Sequence, residues 1–373
     1  MAKYPKRQKV KRYRRSFYSR EMRVKKGIGI AVLVLVVLAA AWVAAPHVLD
    51  WATHTWYTVV RNRDLSASSP ASGSASSAAE STASSAAEEP AASSEAQPEV
   101  VTPAVDGTAI VEGAWAEADI TTLTDDAAIR AAAQQLAAQG AKYAVVTLKD
   151  AAGAVYYASQ VPAAAASPAS VTVDPAKVAS IFKDEGLIPV AKLAAFRDPA
   201  GARVDHAMAI RYKNQEYLWL DNKASAGGNP WLNPYAAEAV QYIGDLIDEL
   251  HRAGFDQIVL ENVQFPSSTS SKQDYGSTNG VDRAGQLTAD ITGWEQRFGG
   301  SVTLWYSYTL AEVTGTSPTL GVPAVELGVK NLLVRVPSAS TMADEERTAL
   351  VQSQTEAGAE HVVVRDLTAG IFE

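Results

Sequence analysis

A glutamate inside an otherwise apolar run is the strongest chemical signal in this sequence. Residues 255–265 have the composition of a buried strand, and Glu261 lies within them. Because side chains alternate along a strand, Val259, Glu261 and Val263 share one face. A carboxylate on a buried face is costly unless it points into a wet, functional opening. We therefore predict that Glu261 is catalytic, with a structural, hydrogen-bonded carboxylate as the alternative.

Charged residues also lie at the ends of other predicted strands. Asp150 follows the second strand beside Lys149, Arg197 follows the third, and Arg335 and Arg365 lie in the sixth and seventh. In a barrel of parallel strands, catalytic groups sit at the carboxyl ends of the strands. We predict Asp150 as the second catalytic carboxylate, and Lys149, Arg197 and Arg335 as substrate-binding residues. The alternatives are a turn-forming Asp150 and ion pairs within the loops or the barrel.

Aromatic residues are concentrated near the same predicted opening. The loop 197–233 contains Trp231, and the fifth strand contains Trp305 and Tyr306. Aromatic rings with a polar edge offer both a flat apolar face and a hydrogen-bonding group. A sugar ring needs this combination, so we predict that Trp231, Trp305, Tyr306 and Asn262 bind substrate. Ordinary packing of a long loop is the alternative for each residue.

Several other chemistries are excluded by the residues present. The chain has no cysteine, which excludes disulfides, thiol catalysis and cysteine-ligated metal. It contains neither a P-loop nor a G-x-S-x-G motif. None of the five histidines has a second histidine at metal-ligand spacing. We therefore predict no metal and no cofactor.

Strands and helices alternate along residues 106–373, which favours a parallel sheet covered by helices. Gly140, Gly254 and Gly358 end three of the helices. The predicted strands are 108–115, 143–149, 187–196, 255–265, 302–310, 331–336 and 360–365. The predicted helices are 125–138, 174–185, 235–252, 282–297 and 342–357. We predict a (β/α)8 TIM-like barrel. Only residues 367–372 remain for its eighth strand, so we expect the barrel to be incomplete or irregular there. An open doubly wound sheet is the alternative, although no G-x-G-x-x-G follows the first strand.

The N-terminal region predicts attachment to a membrane. Residues 27–45 are uncharged and mostly apolar, and a helix of this length rises about 28 Å, close to the thickness of a bilayer core. The preceding residues 1–26 carry twelve Lys or Arg residues and one Glu, which predicts a cytoplasmic tail. We predict a single uncleaved anchor over 27–49, with the rest of the chain extracytoplasmic. A cleaved signal peptide is the alternative.

Residues 50–105 form a predicted juxtamembrane segment and stalk. The stalk is rich in Ser, Ala, Glu and Pro, and lacks the apolar surface needed to offset the entropy of ordering. The whole chain has 33 basic and 41 acidic residues, so the part beyond the basic tail is strongly acidic. That balance is unfavourable for nucleic acid, and we predict no nucleic-acid partner. The oligomeric state is left open by the sequence.

The sequence also resembles a known family over about residues 107–366. The resemblance depends on four segments, which together are fairly specific: 145–150, 186–199, 231–235 and 254–266. In these segments the chain is similar to the bacterial putative glycosyl hydrolase domain family, whose members are barrels related to the α-amylase type. The resemblance implies a barrel and places a nucleophile or charge-stabilising carboxylate at Glu261.

The chain departs from the family pattern around that position. Glu261 stands where the family usually has Asp, Asn262 replaces an aromatic residue, and Gln264 replaces an Arg. Asn233 stands where an Asp usually precedes Pro-Tyr. These differences favour a non-catalytic relative of such an enzyme.

Two functional hypotheses follow. The first is a membrane-anchored barrel that acts on or binds cell-envelope polysaccharide. If it is a hydrolase, Glu261 needs a second carboxyl group, for which Asp150 is the first choice, followed by Glu117 and Glu312. The second hypothesis is an inactive glycan-binding or protein-scaffold module of the cell envelope.

Overall fold

A computed structural model of the chain describes residues 106–268, 270–337, 342–366 and 370–373. These residues form a mixed α/β fold with a mostly parallel central sheet, which confirms the predicted fold class at this level. The predicted tail, anchor and stalk, residues 1–105, lie outside the described ranges. Within those ranges, no helix is long and apolar enough to cross a membrane.

Seven strands lie side by side and parallel in the main sheet, in the order β1, β2, β5, β7, β9, β10 and β11. Shorter strands extend or accompany this sheet. The strands of the described residues are β1 Ala114–Ala118, β2 Ala141–Lys149, β3 Val155–Tyr157, β4 Pro168–Val173, β5 Ile188–Ala194, β6 Arg211–Tyr212, β7 Gln257–Glu261, β8 Gln273–Asp274, β9 Thr303–Thr309, β10 Asn331–Val336, β11 His361–Asp366 and β12 Ile371–Phe372.

The helices connect the strands, and the five long ones agree with the predicted segments to within a few residues. Aspartates accept hydrogen bonds from backbone amides in the first turn of three of these five, as N-cap residues do. The described helices are α1 Asp126–Ala138, α2 Pro162–Ala165, α3 Pro175–Asp184, α4 Pro199–Val204, α5 Ala237–Arg252, α6 Arg283–Phe298, α7 Leu310–Thr314 and α8 Asp344–Glu356.

Strand β12 joins the two edges of the sheet. It pairs antiparallel with β1, with Phe372 opposite Trp115. On its other side, the amide of Val364 in β11 donates to the carbonyl of Glu373 at 2.7 Å. A parallel eighth strand would need a crossover of a dozen or more residues, and the connection 367–370 is far shorter. The predicted irregular end is therefore a short, reversed strand.

The first strand begins later than the predicted range 108–115. The segment before it is held by side chains instead of a sheet ladder: Tyr143 Oη donates to the carbonyl of Val111 and accepts from its amide, both at 2.7 Å. Gln257 Nε2 donates to the carbonyl of Gly107 at 3.1 Å. The shift brings Glu117 into the paired part of β1, opposite Val145 of β2.

The inner face of the sheet is closely packed at its centre. Trp115 of β1 stacks on Tyr143 with ring centroids 4.4 Å apart, and meets Trp305 of β9 edge-on at 4.9 Å. Because β1 and β9 are four strands apart along the sheet, this contact requires the sheet to curl into a TIM-barrel-like form. The inner apolar cluster consists of Trp115, Tyr143, Val145, Ile188, Val190, Val259, Trp305, Leu333, Val363 and Phe372.

Candidate functional site

A set of polar side chains continues the inner face of the sheet toward its carboxyl end. Each of these residues follows a member of the inner apolar cluster by two positions, so strand alternation turns it to the same side. We call this set the polar layer. It consists of Glu117, Lys192, Glu261, Ser307, Arg335 and Arg365.

Glu117 is held between two cations of the polar layer. Lys192 Nζ on β5 lies 2.6 Å from Glu117 Oε1, and Arg365 Nη2 on β11 pairs with Glu117 Oε2. Both contacts cross to β1 from strands that are distant in the sequence. The side chains of Lys192 and Arg365 are 12% and 18% exposed, so water screens these pairs only partly.

Glu261 has a looser contact with its cation. Arg335 Nη1 on β10 lies 3.9 Å from Glu261 Oε1, which is within ion-pair distance but too long for a hydrogen bond. The Glu261 side chain is 17% exposed, as expected for a carboxylate that reaches an opening at the end of the sheet. Glu261 and Arg335 thus lie close together near the carboxyl ends of β7 and β10.

Two polar atoms of the layer are buried without a partner among the described residues. They are Ser307 Oγ and Arg335 Nε. Ser307 is 1% exposed and lies opposite Glu261 in the β7–β9 pairing, and opposite Leu333 in the β9–β10 pairing. Buried polar groups are nearly always satisfied by protein, water or ligand. These two atoms are therefore exceptions that a bound polar group would satisfy.

The charges of the polar layer suit recognition of a polar ligand. Three cations face two carboxylates within the described residues. The layer therefore offers both hydrogen-bond donors and acceptors to a bound molecule.

Asp150 has a turn-forming role in the structure. Its Oδ1 accepts hydrogen bonds from the amides of Ala152 and Ala154, both at 2.9 Å, and Tyr156 Oη donates to its Oδ2 at 3.0 Å. These contacts close the connection between β2 and β3. The alternative interpretation of Asp150 as a turn-forming residue therefore accounts for all these contacts of its carboxylate. Within the polar layer, the carboxylate that accompanies Glu261 is that of Glu117.

Lys149 leaves the inner face because of an irregularity in β2. The pairing with β5 shifts register between Thr147 and Lys149, and such a bulge turns the following side chain to the opposite face. Lys149 Nζ is buried, 3.0 Å from Asp198 Oδ2, and donates to the carbonyl of Ala194 at 2.6 Å. Tyr242 Oη donates to the same Asp198 oxygen at 3.0 Å. Burial, followed by the Asp198 charge, raises the pKa of Tyr242 far above its ordinary value.

Arg197 and Trp231 contact each other in the long loop after β5. The Arg197 guanidinium lies 5.9 Å from the Trp231 ring centroid. Trp231 is 6% exposed, and its Nε1 donates to Asp221 Oδ2 at 3.1 Å. It packs with Ile210 and Trp219 in a small separate cluster. The ring is thus a packed part of the loop, with Arg197 at its outer side.

The remaining predicted binding residues lie at three different places. Trp305 is inside the sheet, one step below Ser307, and its Nε1 donates to Gln257 Oε1 at 2.7 Å. Tyr306 lies on the opposite, outer face, where burial and Glu295 raise its pKa. Asn262 ends β7 in the left-handed region, at φ +56°, and its carbonyl accepts from the Phe196 amide at 3.2 Å. Among the described residues, no side-chain hydrogen bond or ring contact joins these three to the ion pairs of the polar layer.

Sequence reasoning missed two members of the polar layer, Lys192 and Ser307. Lys192 had a detectable signal, because it is a lone cation in an apolar strand and has the same alternation as Val190. Glu117 lies just beyond the first strand as predicted, 108–115, and within β1 as observed. Glu312, the other reserve carboxylate, caps α7 by accepting from the Thr309 amide and hydroxyl at 3.0 and 2.8 Å.

Loops at the carboxyl end of the sheet form a rim. Strand β6 in the loop after β5 pairs with β8 in the loop after β7, and a cavity of about 280 Å³ lies beside them. On the same loop Tyr212 and Tyr217 have ring centroids 5.0 Å apart, and Tyr217 is 55% exposed. In the described ranges there is no group of three or more His, Asp or Glu side chains that could hold a metal ion.

No curated protein sequence matches the chain. Among solved structures, a hypothetical protein from Ruminiclostridium thermocellum is similar over 51% of this chain and 96% of its own length, with 22% identity and a TM-score of 0.45. A chitobiase from Flavobacterium johnsoniae is similar over 68% of this chain and 38% of its own, with 11% identity and a TM-score of 0.44. An α-galactosidase from Thermus thermophilus is similar over 65% of this chain and 45% of its own, with 11% identity and a TM-score of 0.41.

The chain therefore spans less than half of the length of the two enzymes. A family model gives the more specific result. Residues 120–295, which include Lys192 and Glu261, match the family model described as a putative glycosyl hydrolase domain.

Proposed function

We propose that this domain is a polysaccharide-binding member of the glycosyl hydrolase-like family, with its ligand at the carboxyl end of a (β/α)8-type barrel whose eighth strand is reversed. The observation that carries the proposal is the polar layer. It sets two glutamates, three cations and an unpaired serine hydroxyl directly above an apolar, aromatic interior. Ligand sites of barrel proteins lie at this end of the sheet.

The same groups favour binding over hydrolysis. Glycoside cleavage by the usual two-carboxylate route needs one carboxyl group as acid and another as nucleophile or base. In the described structure Glu117 is engaged by two cationic partners and Glu261 by one. Strand β9 offers Ser307 at the level of Glu261, where its hydroxyl can form a hydrogen bond with a ligand.

Binding is tested with the purified full chain in detergent solution and a panel of soluble polysaccharides and isolated cell-wall polymers. Retention on at least one polymer by the wild type, weakened roughly tenfold or more in Arg335→Gln, is the expected result. Arg297→Gln is the matched control, because Arg297 lies on α6 and pairs with Asp245 at 3.2 Å, away from the polar layer. Equal retention of all three proteins would remove the polar layer from the binding site.

Hydrolysis is the second candidate, favoured by the presence of Glu117 as a second carboxylate on the same inner face. In that case Glu261 serves as nucleophile or base, and Glu117 serves as the acid. A reducing-end assay on the polymers that bind distinguishes the two functions. Release by the wild type and loss of release in Glu261→Gln would establish hydrolysis, whereas binding without release by either protein supports the binding function.

We further propose that the domain faces the cell envelope, tethered by residues 27–49 with residues 1–26 in the cytoplasm. The support is the basic segment followed by the uncharged apolar run. Proteolysis of intact, wall-stripped cells tests this arrangement. Cleavage of the domain from the outside, with a small basic fragment left in the membrane fraction, is expected. Protection of the whole chain until the cells are lysed would contradict it.

A further inference from the structure

We propose that the ligand of the polar layer is an anionic polysaccharide, and that Arg335 and Ser307 receive its negatively charged group. This inference rests on the proposed function and specifies its ligand class. The shared chemistry is an anionic oxygen group carried on a sugar polymer, either the carboxylate of an acidic sugar or a phosphodiester.

The first argument is the charge of the polar layer. Lys192, Arg335 and Arg365 contribute three positive charges, and Glu117 and Glu261 contribute two negative ones. One positive charge is therefore unmatched within the layer. The three cationic side chains are between 12% and 22% exposed, so a ligand that enters the opening meets these charges with little screening by solvent.

The second argument identifies Arg335 as the cation available to a ligand. Lys192 and Arg365 both form close contacts with Glu117. Among the described residues, Arg335 has only the 3.9 Å contact with Glu261, made through Nη1, and its buried Nε has no partner there. A guanidinium offers a planar fork of donors that matches the two oxygens of a carboxylate or phosphate. The donors of Arg335 remain largely unused.

The third argument is the position of Ser307. Its hydroxyl is buried, and no described residue forms a hydrogen bond with it. It lies on β9, the strand between β7, which carries Glu261, and β10, which carries Arg335. A hydroxyl there can donate to the anionic group that Arg335 attracts, so the two residues together form a small anion-binding arrangement. The carboxylate of Glu261 beside them limits the site to ligands that also present sugar hydroxyls as donors.

The test compares an anionic polymer with its uncharged ester and with a second anionic polymer of different chemistry. Polygalacturonate and its fully methyl-esterified form share one backbone, and a poly(glycerol phosphate) chain supplies the phosphodiester. Affinities for the full chain in detergent solution are measured by calorimetry at low and high salt. We expect at least one of the two anionic polymers to bind roughly tenfold or more tightly than the ester, with a preference that weakens as salt rises. Whichever anionic polymer binds more tightly identifies the charged group.

Variants connect this preference to the proposed residues. Arg335→Gln should abolish the preference for the anionic polymer, and Arg297→Gln should retain it. Ser307→Ala removes an unpaired hydroxyl without adding volume, so the protein should fold normally and lose about threefold to tenfold in affinity for the anionic polymer. Circular dichroism and thermal unfolding establish that each variant is folded.

Each contrary result has a separate meaning. Equal binding of the anionic and esterified polymers would overturn the inference and leave the polysaccharide-binding function intact. A charge preference that survives in both Arg335→Gln and Ser307→Ala would remove the anion site from these residues. Absence of binding to any polysaccharide, neutral or charged, would overturn the proposed function together with the inference.

Discussion

Replacing Asp290 by Asn should make the domain more stable near neutral pH and should change how its stability depends on pH. Asp290 lies on α6 and is 4% exposed. Gln286 Nε2 donates to its Oδ1 at 2.8 Å, and its buried Oδ2 has no partner among the described residues. Burial raises the pKa of this carboxyl group to about 8, and the Gln286 hydrogen bond offsets only part of that effect.

The sign of the effect follows from proton binding. Between pH 4 and pH 8 the folded state keeps the Asp290 proton, whereas the unfolded state releases it near the ordinary value of 3.8. The folded state therefore binds more protons, and the free energy of unfolding falls by up to about 1.4 kcal/mol for each pH unit gained. From pH 5 to pH 7 this amounts to a loss of roughly 3 kcal/mol in the wild type. The Asn variant keeps a neutral acceptor for Gln286 and has no titrating group there.

Urea titrations followed by tryptophan fluorescence at pH 5, 6 and 7 measure the effect. The stability of Asp290→Asn relative to the wild type should increase by roughly 3 kcal/mol over this range. Asp184→Asn is the control, because it makes the same substitution at a side chain that is 60% exposed. If the Asp290→Asn and wild-type curves run parallel from pH 5 to pH 7, the Asp290 carboxylate is hydrated in the folded state and the reasoning fails.

Three further predictions concern the packing that supports the polar layer. Lys149→Met leaves the buried carboxylate of Asp198 without its cation and should lower the free energy of unfolding by about 3–5 kcal/mol. A loss below about 1 kcal/mol in urea titrations would contradict the buried ion pair. Gly153→Ala should destabilise the domain by more than about 1 kcal/mol, since Gly153 has φ +82° and a Cβ there would overlap the Asp198 carboxylate; an unchanged thermal midpoint would refute this. Trp115→Ala removes the central ring of the inner apolar cluster and should lower the free energy of unfolding by about 3–5 kcal/mol in the same titrations. An unchanged free energy of unfolding would mean that the neighbouring rings fill the space of Trp115.

The local elements of this protein were largely predictable from the sequence. The five long helices begin near Asp, Pro or small residues and end at glycines, and these signals act within a few residues of the chain. Strand alternation also predicted the inward direction of Glu261, because Val259 two residues earlier belongs to the inner apolar cluster. Composition and alternation are properties of short segments, so they can be interpreted without knowledge of the fold.

The composition of the functional site depended on the tertiary structure. A register shift in β2 turned Lys149 away from the inner face, although strict alternation from Tyr143 and Val145 places it inside. The first strand began late because Tyr143 and Gln257 bind the preceding segment through their side chains. Neither effect has a marker in the local sequence.

The ion pairs of the polar layer illustrate the same limit. Glu117 pairs with Lys192, which is 75 residues away in the sequence, and with Arg365, which is 248 residues away. The sequence by itself determined the types of charge available and the strands that carry them. Only the curling of the sheet decided which charges meet, because an ion pair is a contact of a few ångströms between strands whose distance the sequence does not set.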